Sequence, residues 1–328
     1  MTAPRRDQFE GALIGCAVGD ALGAPLEGWS RERIAKLKSV TDCFRPLSKG
    51  KNGMRYPSGQ YTDDTQLTMA IARSLVVRGA VDGAEIAREF AALWRSGEIV
   101  GAGPVAHRAV RRLIEGIPWQ DAAVPDDLPL NGAAMRIAPV GLWNCDRPDR
   151  LADDVATASV VTHRHPVAID AAMAVATAVA HAATASAIET PPFLDAVAAS
   201  VRGSNPSFAG HIQGLGSWLL SPAPTALEAI AETGQRPGAR GFGIPALAEP
   251  TVLASLYAFL RSPNDYVATI DFALRIGGDV DTMAAIAGAM SGALNGVDAI
   301  PGHLAAGVKD SAEIMDLGAR LFARRFGA

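Results

Sequence analysis

The chain has 328 residues, a formal net charge of −4 at pH 7 and three widely spaced cysteines. This charge gives no sign of a partner that is a nucleic acid or an anionic membrane surface. The cysteines, Cys16, Cys43 and Cys145, are odd in number and lack the spacing of metal ligands. They fit a reducing compartment. We therefore expect a cytoplasmic protein without a nucleic-acid or membrane partner.

The first apolar stretch, residues 12–18, lies where a signal peptide would lie. Glu10 and Asp20 bracket this stretch and leave it short for the apolar part of a signal peptide, so we do not expect export. Gly19 followed by Asp20 suggests that a helix is interrupted here. We expect Asp20 to have a structural role beside the site.

After residue 60 the apolar residues recur at helical spacing in nearly every segment. Hydrophobic residues make up 49% of the chain but aromatic residues only 6%, which favours closely packed helices over a sheet. Strict alternation over a strand's length is absent, and no linker divides the chain. We expect a single all-α domain over residues 1–328. The predicted helices cover residues 84–94, 105–114, 133–143, 152–161, 167–188, 193–201, 212–220, 227–231, 246–260, 266–276, 280–294 and 312–326, with a further helix carrying Leu67, Ile71 and Leu75 on one face.

Two features of these helices concern their packing. The stretch 167–188 is apolar and long, but an acid and a histidine interrupt it, so we expect a buried helix and not a membrane span. Gly288, Gly292 and Gly296 lie four residues apart. In a chain without a flanking apolar 20-mer, this spacing predicts close contact between two helices of a soluble fold.

Two acidic clusters stand at the starts of predicted apolar helices, at residues 61–65 (Tyr-Thr-Asp-Asp-Thr) and 277–282 (Gly-Gly-Asp-Val-Asp-Thr). Either cluster alone is typical of an ordinary helix cap. An EF-hand loop is excluded at the second because its glycine and final glutamate are missing. Together the clusters offer four carboxylates and two threonine oxygens, an all-oxygen set suited to Mg²⁺ or Mn²⁺. Since four carboxylates would repel one another around a single ion, we expect two metal ions.

The chain resembles the ADP-ribosylglycohydrolases, a family that includes the dinitrogenase-reductase-activating glycohydrolases and the animal ADP-ribosylhydrolases. Five stretches match in family order: residues 9–27, the two acidic clusters, residues 131–139 and residues 162–166. The resemblance covers nearly the whole chain. It implies a metal-dependent hydrolase that cleaves the C1″ glycosidic bond of ADP-ribosylated protein side chains, with an arginine or serine linkage, and releases ADP-ribose. We expect it to be a monomer.

The resemblance also implies roles for individual acids. Glu27 is expected to be the general acid/base or a switchable metal ligand, and Asp63 is the second catalytic candidate. The implied metal ligands are Thr62, Asp63, Asp64, Asp279, Asp281 and Thr282.

The third matching stretch is implied to bind the ligand. Asn131, Gly132, Ala133 and Met135 would surround diphosphate and ribose with backbone N–H groups at a helix start. For Arg136 two roles stay open: pairing with phosphate, or bracing the metal carboxylates.

Three further residues are candidates for substrate contact. His163 would contact the ligand or be a structural histidine, and Phe242 would stack on adenine or ribose or be a core aromatic. Glu98 is the nearest counterpart of an acid that relatives carry in an Asp-Ile-Gly-like stretch beside the leaving group. Because the stretch is altered here, the leaving group stays open between arginine, serine and a small molecule.

Two other functions compete with hydrolysis of modified proteins. One is hydrolysis of small derivatives such as O-acetyl-ADP-ribose. The other is a non-catalytic ADP-ribose-binding or structural role, which the presence of all six implied metal ligands disfavours.

Overall fold

A computed structural model describes residues 2–49, 53–124, 128–234 and 243–327. Within these ranges the chain forms seventeen α-helices and one short hairpin, so the all-α prediction is confirmed. The helices are α1 Arg6–Gly23, α2 Arg31–Ala35, α3 Asp63–Arg78, α4 Gly83–Ser96, α5 Pro104–Ile114, α6 Trp119–Ala122, α7 Ala138–Trp143, α8 Pro148–Val160, α9 Pro166–Ala183, α10 Thr190–Val201, α11 Pro206–Trp218, α12 Ala223–Glu232, α13 Ala248–Arg261, α14 Tyr266–Arg275, α15 Val280–Asn295, α16 Gly302–Gly307 and α17 Ser311–Phe326.

Helices α1 and α15 form the centre of the fold and pack backbone against backbone. A Cβ placed on Gly15 would overlap the carbonyl group of Gly288, and the reverse is also true. Gly11 and Gly292 meet in the same way one turn further along. The predicted close contact at Gly288 and Gly292 is therefore confirmed, and it brings the C-terminal end of α1 beside the N-terminal end of α15.

The helix interruption expected at Gly19 and Asp20 is wrong, because α1 continues to Gly23. Gly19 is required by packing and not by a break: a Cβ there would overlap the carbonyl group of Ala284 in α15. Glycine has a low helix propensity, which is why the sequence alone suggested a break in the helix at Gly19 and Asp20. Here tertiary contact outweighs that preference.

The helix predicted at residues 133–143 is divided into a 3₁₀ helix, Asn131–Arg136, and α7. Pro139 lies in the first turn of α7 and has no N–H to donate to the carbonyl four residues earlier, so one α-helix cannot run through. The hairpin of β1 Leu47–Lys49 and β2 Met54–Tyr56 was not expected from the sequence.

Two segments, Arg6–Leu26 and Pro166–Ala183, are long and apolar enough to cross a membrane by length and composition. Of their apolar windows, 89% and 67% of the residues are buried inside the fold. Both segments belong to the main hydrophobic core, which is contiguous from Phe9 in α1 to Leu321 in α17. The burial accounts for their apolar character.

Candidate functional site

A cleft lies where the starts of α3, α5 and α15 converge, and the empty space there, including the part open to solvent, is about 620 Å³. Both acidic clusters contribute to it although they are far apart in the sequence. Ten of the residues singled out in the sequence line this cleft: Glu27, Asp63, Asp64, Asn131, Gly132, Met135, His163, Asp279, Asp281 and Thr282.

The first acidic cluster is held by a carboxylate from another helix. Both oxygens of Asp20 accept hydrogen bonds from the backbone N–H of Thr62 at 3.0 Å, and one accepts the N–H of Thr65 at 3.0 Å. The hydroxyls of the two threonines also lie 2.8 Å and 2.6 Å from the same carboxylate. Asp20 thus caps α3 from outside, which leaves Asp63 and Asp64 available to the cleft.

The second acidic cluster is held by a turn of two glycines. Gly277 and Gly278 have φ values of 80° and 86°, in the left-handed region that side chains disfavour. The carbonyl of Gly278 accepts the N–H of Gly28 at 2.9 Å, and Asp279 N donates to Ile244 O at 2.9 Å. The turn therefore ties the loop that carries Glu27 to the start of α15.

This tie brings three acids within reach of one ion. One carboxylate oxygen from each of Glu27, Asp279 and Asp281 lies within 4.8 Å of the others. Glu27 is exposed at the cleft rim, whereas the two aspartates are buried. Asn131 donates through Nδ2 to Asp279 Oδ2 at 2.5 Å and to Thr251 Oγ1 at 3.0 Å, and so orients the Asp279 carboxylate.

The electrostatics of the cleft fit a bound cation. Burial, and then the charges of four neighbouring aspartates, raise the pKa of Asp64 well above its ordinary value. Burial and the nearby Glu27 also raise the pKa of Asp279, although hydrogen bonds oppose the shift. The buried Asp64 Oδ1 has no hydrogen-bond partner in the described part of the chain, and no described lining residue is Lys or Arg. A hard divalent cation would relieve this repulsion and satisfy that oxygen.

His163 packs against the loop that was predicted to bind the ligand. Its Nδ1 lies 2.8 Å from Thr162 Oγ1, and a Cβ on Gly132 would lie 2.6 Å from its Cε1. Burial, followed by the charge of Arg136, lowers the pKa of His163 to about 3. The imidazole is therefore neutral and lines the cleft, and glycine is needed at position 132 to let it approach.

Four of the candidate site residues that the structure describes lie outside the lining, namely Thr62, Ala133, Glu98 and Arg136. Thr62 is buried behind Asp64, with its Oγ1 3.1 Å from Asp64 Oδ2. Ala133 is buried, and Glu98 is exposed and holds Gln66 through its main-chain oxygen at 2.8 Å. Arg136 is discussed below, and Phe242 lies outside the described residues.

Arg136 is fully buried behind the cleft. Its guanidinium lies 4.8 Å from the centre of the Phe90 ring, and its Nη2 donates to the carbonyl of Ala158 at 3.3 Å. Burial lowers the pKa of Arg136 to about 9, and the charge of Asp63 opposes that shift. Because the side chain lies outside the cleft lining, this position disfavours direct pairing with a diphosphate in the cleft, and bracing of the carboxylates stays a prediction.

The cleft also contains residues that the sequence analysis did not select. They have no charged or hydroxyl side chain, so no chemical motif indicated them. One available signal was the Gly-Ala-Gly-Pro run that leads into α5. Proline is common at the first helical position, and glycines beside a helix start leave backbone groups open to a ligand. These residues are Gly101, Gly103, Pro104, Val105, Ala106, Leu130 and Ala246.

The fold and the cleft together define an all-α protein with an acidic site at converging helix starts, and comparison with known proteins agrees with this class. The ADP-ribosylglycohydrolase family model matches residues 1–328. The ADP-ribosyl-[dinitrogen reductase] glycohydrolase of Rhodospirillum rubrum is 36% identical over 183 residues, which are 55% of this chain and 60% of that protein. The ADP-ribosylarginine hydrolase Tri1 of Pseudomonas putida is 29% identical over 97% of this chain and 78% of its own length.

A solved structure described as an ADP-ribosylglycohydrolase-related protein complex has the same fold. It superimposes with a TM-score of 0.76 at 26% identity and covers 98% of this chain and 99% of its own. The chain belongs to the ADP-ribosylglycohydrolase family. It is accordingly a glycosidic-bond hydrolase by family.

Proposed function

We propose that this protein hydrolyses the C1″ bond between ADP-ribose and a modified protein side chain, using two Mg²⁺ or Mn²⁺ ions. The observation that carries the proposal is the meeting of both acidic clusters and Glu27 in one cleft beside the 131–135 loop. Five of the six expected ligands, Asp63, Asp64, Asp279, Asp281 and Thr282, line this cleft, and the sixth, Thr62, lies behind Asp64. A cation held there would supply a Lewis acid and a template for the ribose hydroxyls.

The chain's own residues have separable tasks in this proposal. Cleavage of a glycosidic bond passes through an oxocarbenium-like state and needs an acid for the leaving atom or a base for water. Glu27 stands at the exposed rim, where the leaving side chain must depart, and is the expected proton carrier. Asn131 keeps Asp279 oriented, and the neutral His163 lines the wall without adding charge.

An arginine linkage is the first substrate to test. The relative from Pseudomonas putida is named as an ADP-ribosylarginine hydrolase, and it aligns with 97% of this chain. Serine linkages and O-acetyl-ADP-ribose are the alternatives. A monomeric state and a cytoplasmic location stay predictions, and size-exclusion chromatography with light scattering tests the first.

The proposal is tested by one panel of substrates. Arg-, Ser- and Asp-linked ADP-ribosyl peptides and O-acetyl-ADP-ribose are incubated with the protein and Mg²⁺ or Mn²⁺, and released ADP-ribose is measured. We expect release from the Arg-linked peptide, and we expect none after chelation with EDTA or in Asp281→Asn. Release from O-acetyl-ADP-ribose alone would favour the small-molecule function. Binding of ADP-ribose without release from any substrate would favour the non-catalytic role.

A further inference from the structure

One side of the cleft is formed by the loop that leads into α5. Gly101 and Gly103 of this loop line the cleft, and so do the first three residues of α5. Gly101 has a φ of 84°, in the left-handed region, so the chain turns sharply there. We call residues 98–103 the α5 loop. Because its two glycines offer only backbone atoms, the position of the loop itself sets the shape of this side of the cleft.

The side chain of Gln66 holds the α5 loop on the start of α3. Its Oε1 accepts the N–H of Val100 at 2.9 Å, and its Nε2 donates to the carbonyl of Glu98 at 2.8 Å. The residue is only 6% exposed, so water competes little for either bond. One buried amide therefore satisfies an N–H and a carbonyl of the same loop.

The α5 loop is also bonded to the backbone of a candidate metal ligand. Asp63 donates its N–H to the carbonyl of Val100 at 2.8 Å. The Val100 side chain is buried in a small cluster with Ala24, which directly follows α1. Gln66 and Asp63 both belong to the first turns of α3. The α5 loop and the first acidic cluster thus form one hydrogen-bonded unit.

We infer that Gln66 is a positioning residue, which holds the α5 loop at the distance from the first acidic cluster that ADP-ribose binding requires. The inference rests on the proposed function, in which ADP-ribose occupies the cleft. Gln66 is not among the described residues that line the cleft, so it acts through the loop. Without its amide, the Val100 N–H and the Glu98 carbonyl would lose their partners, and the ligand would have to order the loop when it binds.

The test removes the amide and keeps a side chain of similar length, in Gln66→Met. Gln8→Met is the matched control. Gln8 is also buried, accepts the N–H of Arg5 at 2.9 Å and donates to the carbonyl of Leu294 at 3.4 Å. It lies in the first turn of α1, at the opposite end from Asp20 and outside the described cleft lining. Both variants lose a buried amide bonded to two backbone groups, and only the location differs.

The first measurement is hydrogen exchange by mass spectrometry, which needs neither substrate nor metal. We expect Gln66→Met to speed exchange in the α5 loop by roughly tenfold or more, as for two lost hydrogen bonds. Exchange in α15 is the internal reference and should not change. Gln66→Asn, whose shorter amide can reach one partner at most, should show a smaller increase. If Gln66→Met does not fold, Gln66→Asn and Gln8→Asn make the same comparison.

The second measurement separates positioning from stability. We expect Gln66→Met to weaken ADP-ribose binding in calorimetry, and to raise KM for the Arg-linked peptide, by roughly three- to tenfold, with a smaller change in kcat. Gln8→Met should leave both values unchanged below its melting temperature. A loss of stability alone lowers the folded fraction, which reduces the apparent kcat and leaves KM as it was.

Unchanged exchange of the α5 loop in Gln66→Met would overturn the inference. Faster exchange with unchanged affinity for ADP-ribose would also overturn it, since Gln66 would then only support the fold, as would equal effects of Gln8→Met. Failure of the proposed function is a different result, in which the wild-type protein binds ADP-ribose but hydrolyses no substrate. Exchange and affinity still decide the role of Gln66 in that case. If the wild-type protein does not bind ADP-ribose, both proposals are rejected.

Discussion

At the scale of single residues, two buried aspartates near the cleft have opposite hydrogen-bonding states. Asp20 accepts from two backbone N–H groups and lies within hydrogen-bonding distance of two threonine hydroxyls. Asp64 receives one hydroxyl contact, and its other oxygen has no hydrogen-bond partner among the described residues. A buried carboxylate whose oxygens all accept hydrogen bonds stabilises the local structure. A buried carboxylate oxygen that accepts none, at the edge of a cleft, is available to a ligand. Asp20 is thus the support, and Asp64 is the candidate metal ligand.

Removing the charge of Asp20 should therefore reduce stability. In Asp20→Asn, an NH₂ group would face N–H donors of Thr62 or Thr65, and a charged acceptor would be lost. We expect the free energy of unfolding to fall by at least ~2 kcal/mol. Urea denaturation measures it. The control is Asp195→Asn, an exposed aspartate that accepts one side-chain hydrogen bond from Gln213, where a change within about 0.5 kcal/mol is expected. Equal losses in both variants would contradict the supporting role.

Neutralising Glu27 should separate catalysis from binding. If Glu27 carries the proton, Glu27→Gln lowers turnover by ~10²–10⁴-fold and leaves the affinity for ADP-ribose within a few-fold. Turnover of the Arg-linked peptide and calorimetry with ADP-ribose measure the two effects. Glu32→Gln on α2, outside the described cleft lining, is the control. A parallel loss of metal affinity would assign Glu27 to the metal instead, which its distance of at most 4.8 Å to Asp279 and Asp281 allows.

At the scale of elements, the α1–α15 contact decides where the acids lie. Asp20 belongs to the last turn of α1, and Asp281 belongs to the first turn of α15. A Cβ on Gly23 would overlap the backbone of Asp281, so the two helix ends are as close as glycine permits. Any separation of these helices would move the support of one acidic cluster away from the other cluster.

A methyl group in this contact should be costly. Gly288→Ala would place its Cβ on the backbone of Gly15, which cannot yield as a side chain can. We expect the free energy of unfolding to fall by about 1–3 kcal/mol or more. Gly210→Ala in α11 is the matched control, because nothing lies within 4 Å of its Cβ position, and it should gain about 0.5–1 kcal/mol from helix propensity. Thermal unfolding of both variants distinguishes the outcomes, and a neutral Gly288→Ala would contradict the packing argument.

At the scale of the whole molecule, the cleft gathers acids from distant segments, and a bound cation would relieve their repulsion. Stability should therefore rise with metal concentration. At 100 times its dissociation constant, one ion that binds only the folded state adds about 2.7 kcal/mol. We expect Mg²⁺ or Mn²⁺ to raise the Tm, EDTA to reverse the rise, and Asp279→Ala to abolish it. Asp316→Ala, at an exposed position on α17, should keep the full response. An unchanged melting curve in all conditions would reject the metal site.

Much of the fold and part of the cleft could be predicted because local patterns carried the information. The helical spacing of Leu67, Ile71 and Leu75 predicted α3, and the residue types of the two acidic clusters indicated a candidate metal site. Gly101 and Gly103, which line the cleft, were missed because glycine has no side chain that indicates a function. Arg136 could not be placed, since a guanidinium suits a phosphate and a carboxylate equally well until its surroundings are known.

The sequence by itself determined the helical class, because the periodicity of apolar residues is a local property of the chain. It also supplied the set of candidate oxygen ligands and, through five ordered motifs, indicated the family. The sequence already indicated a structural role for Asp20, but only the tertiary structure showed how Asp20 has it, by accepting hydrogen bonds from Thr62 and Thr65 at the start of α3. The tertiary structure also placed Glu27 at the exposed rim of the cleft and Arg136 in the interior behind the cleft. The reason is that burial and hydrogen bonding decide whether a carboxylate is charged and whether it supports the fold or faces a ligand. Both depend on segments that meet only in the folded chain.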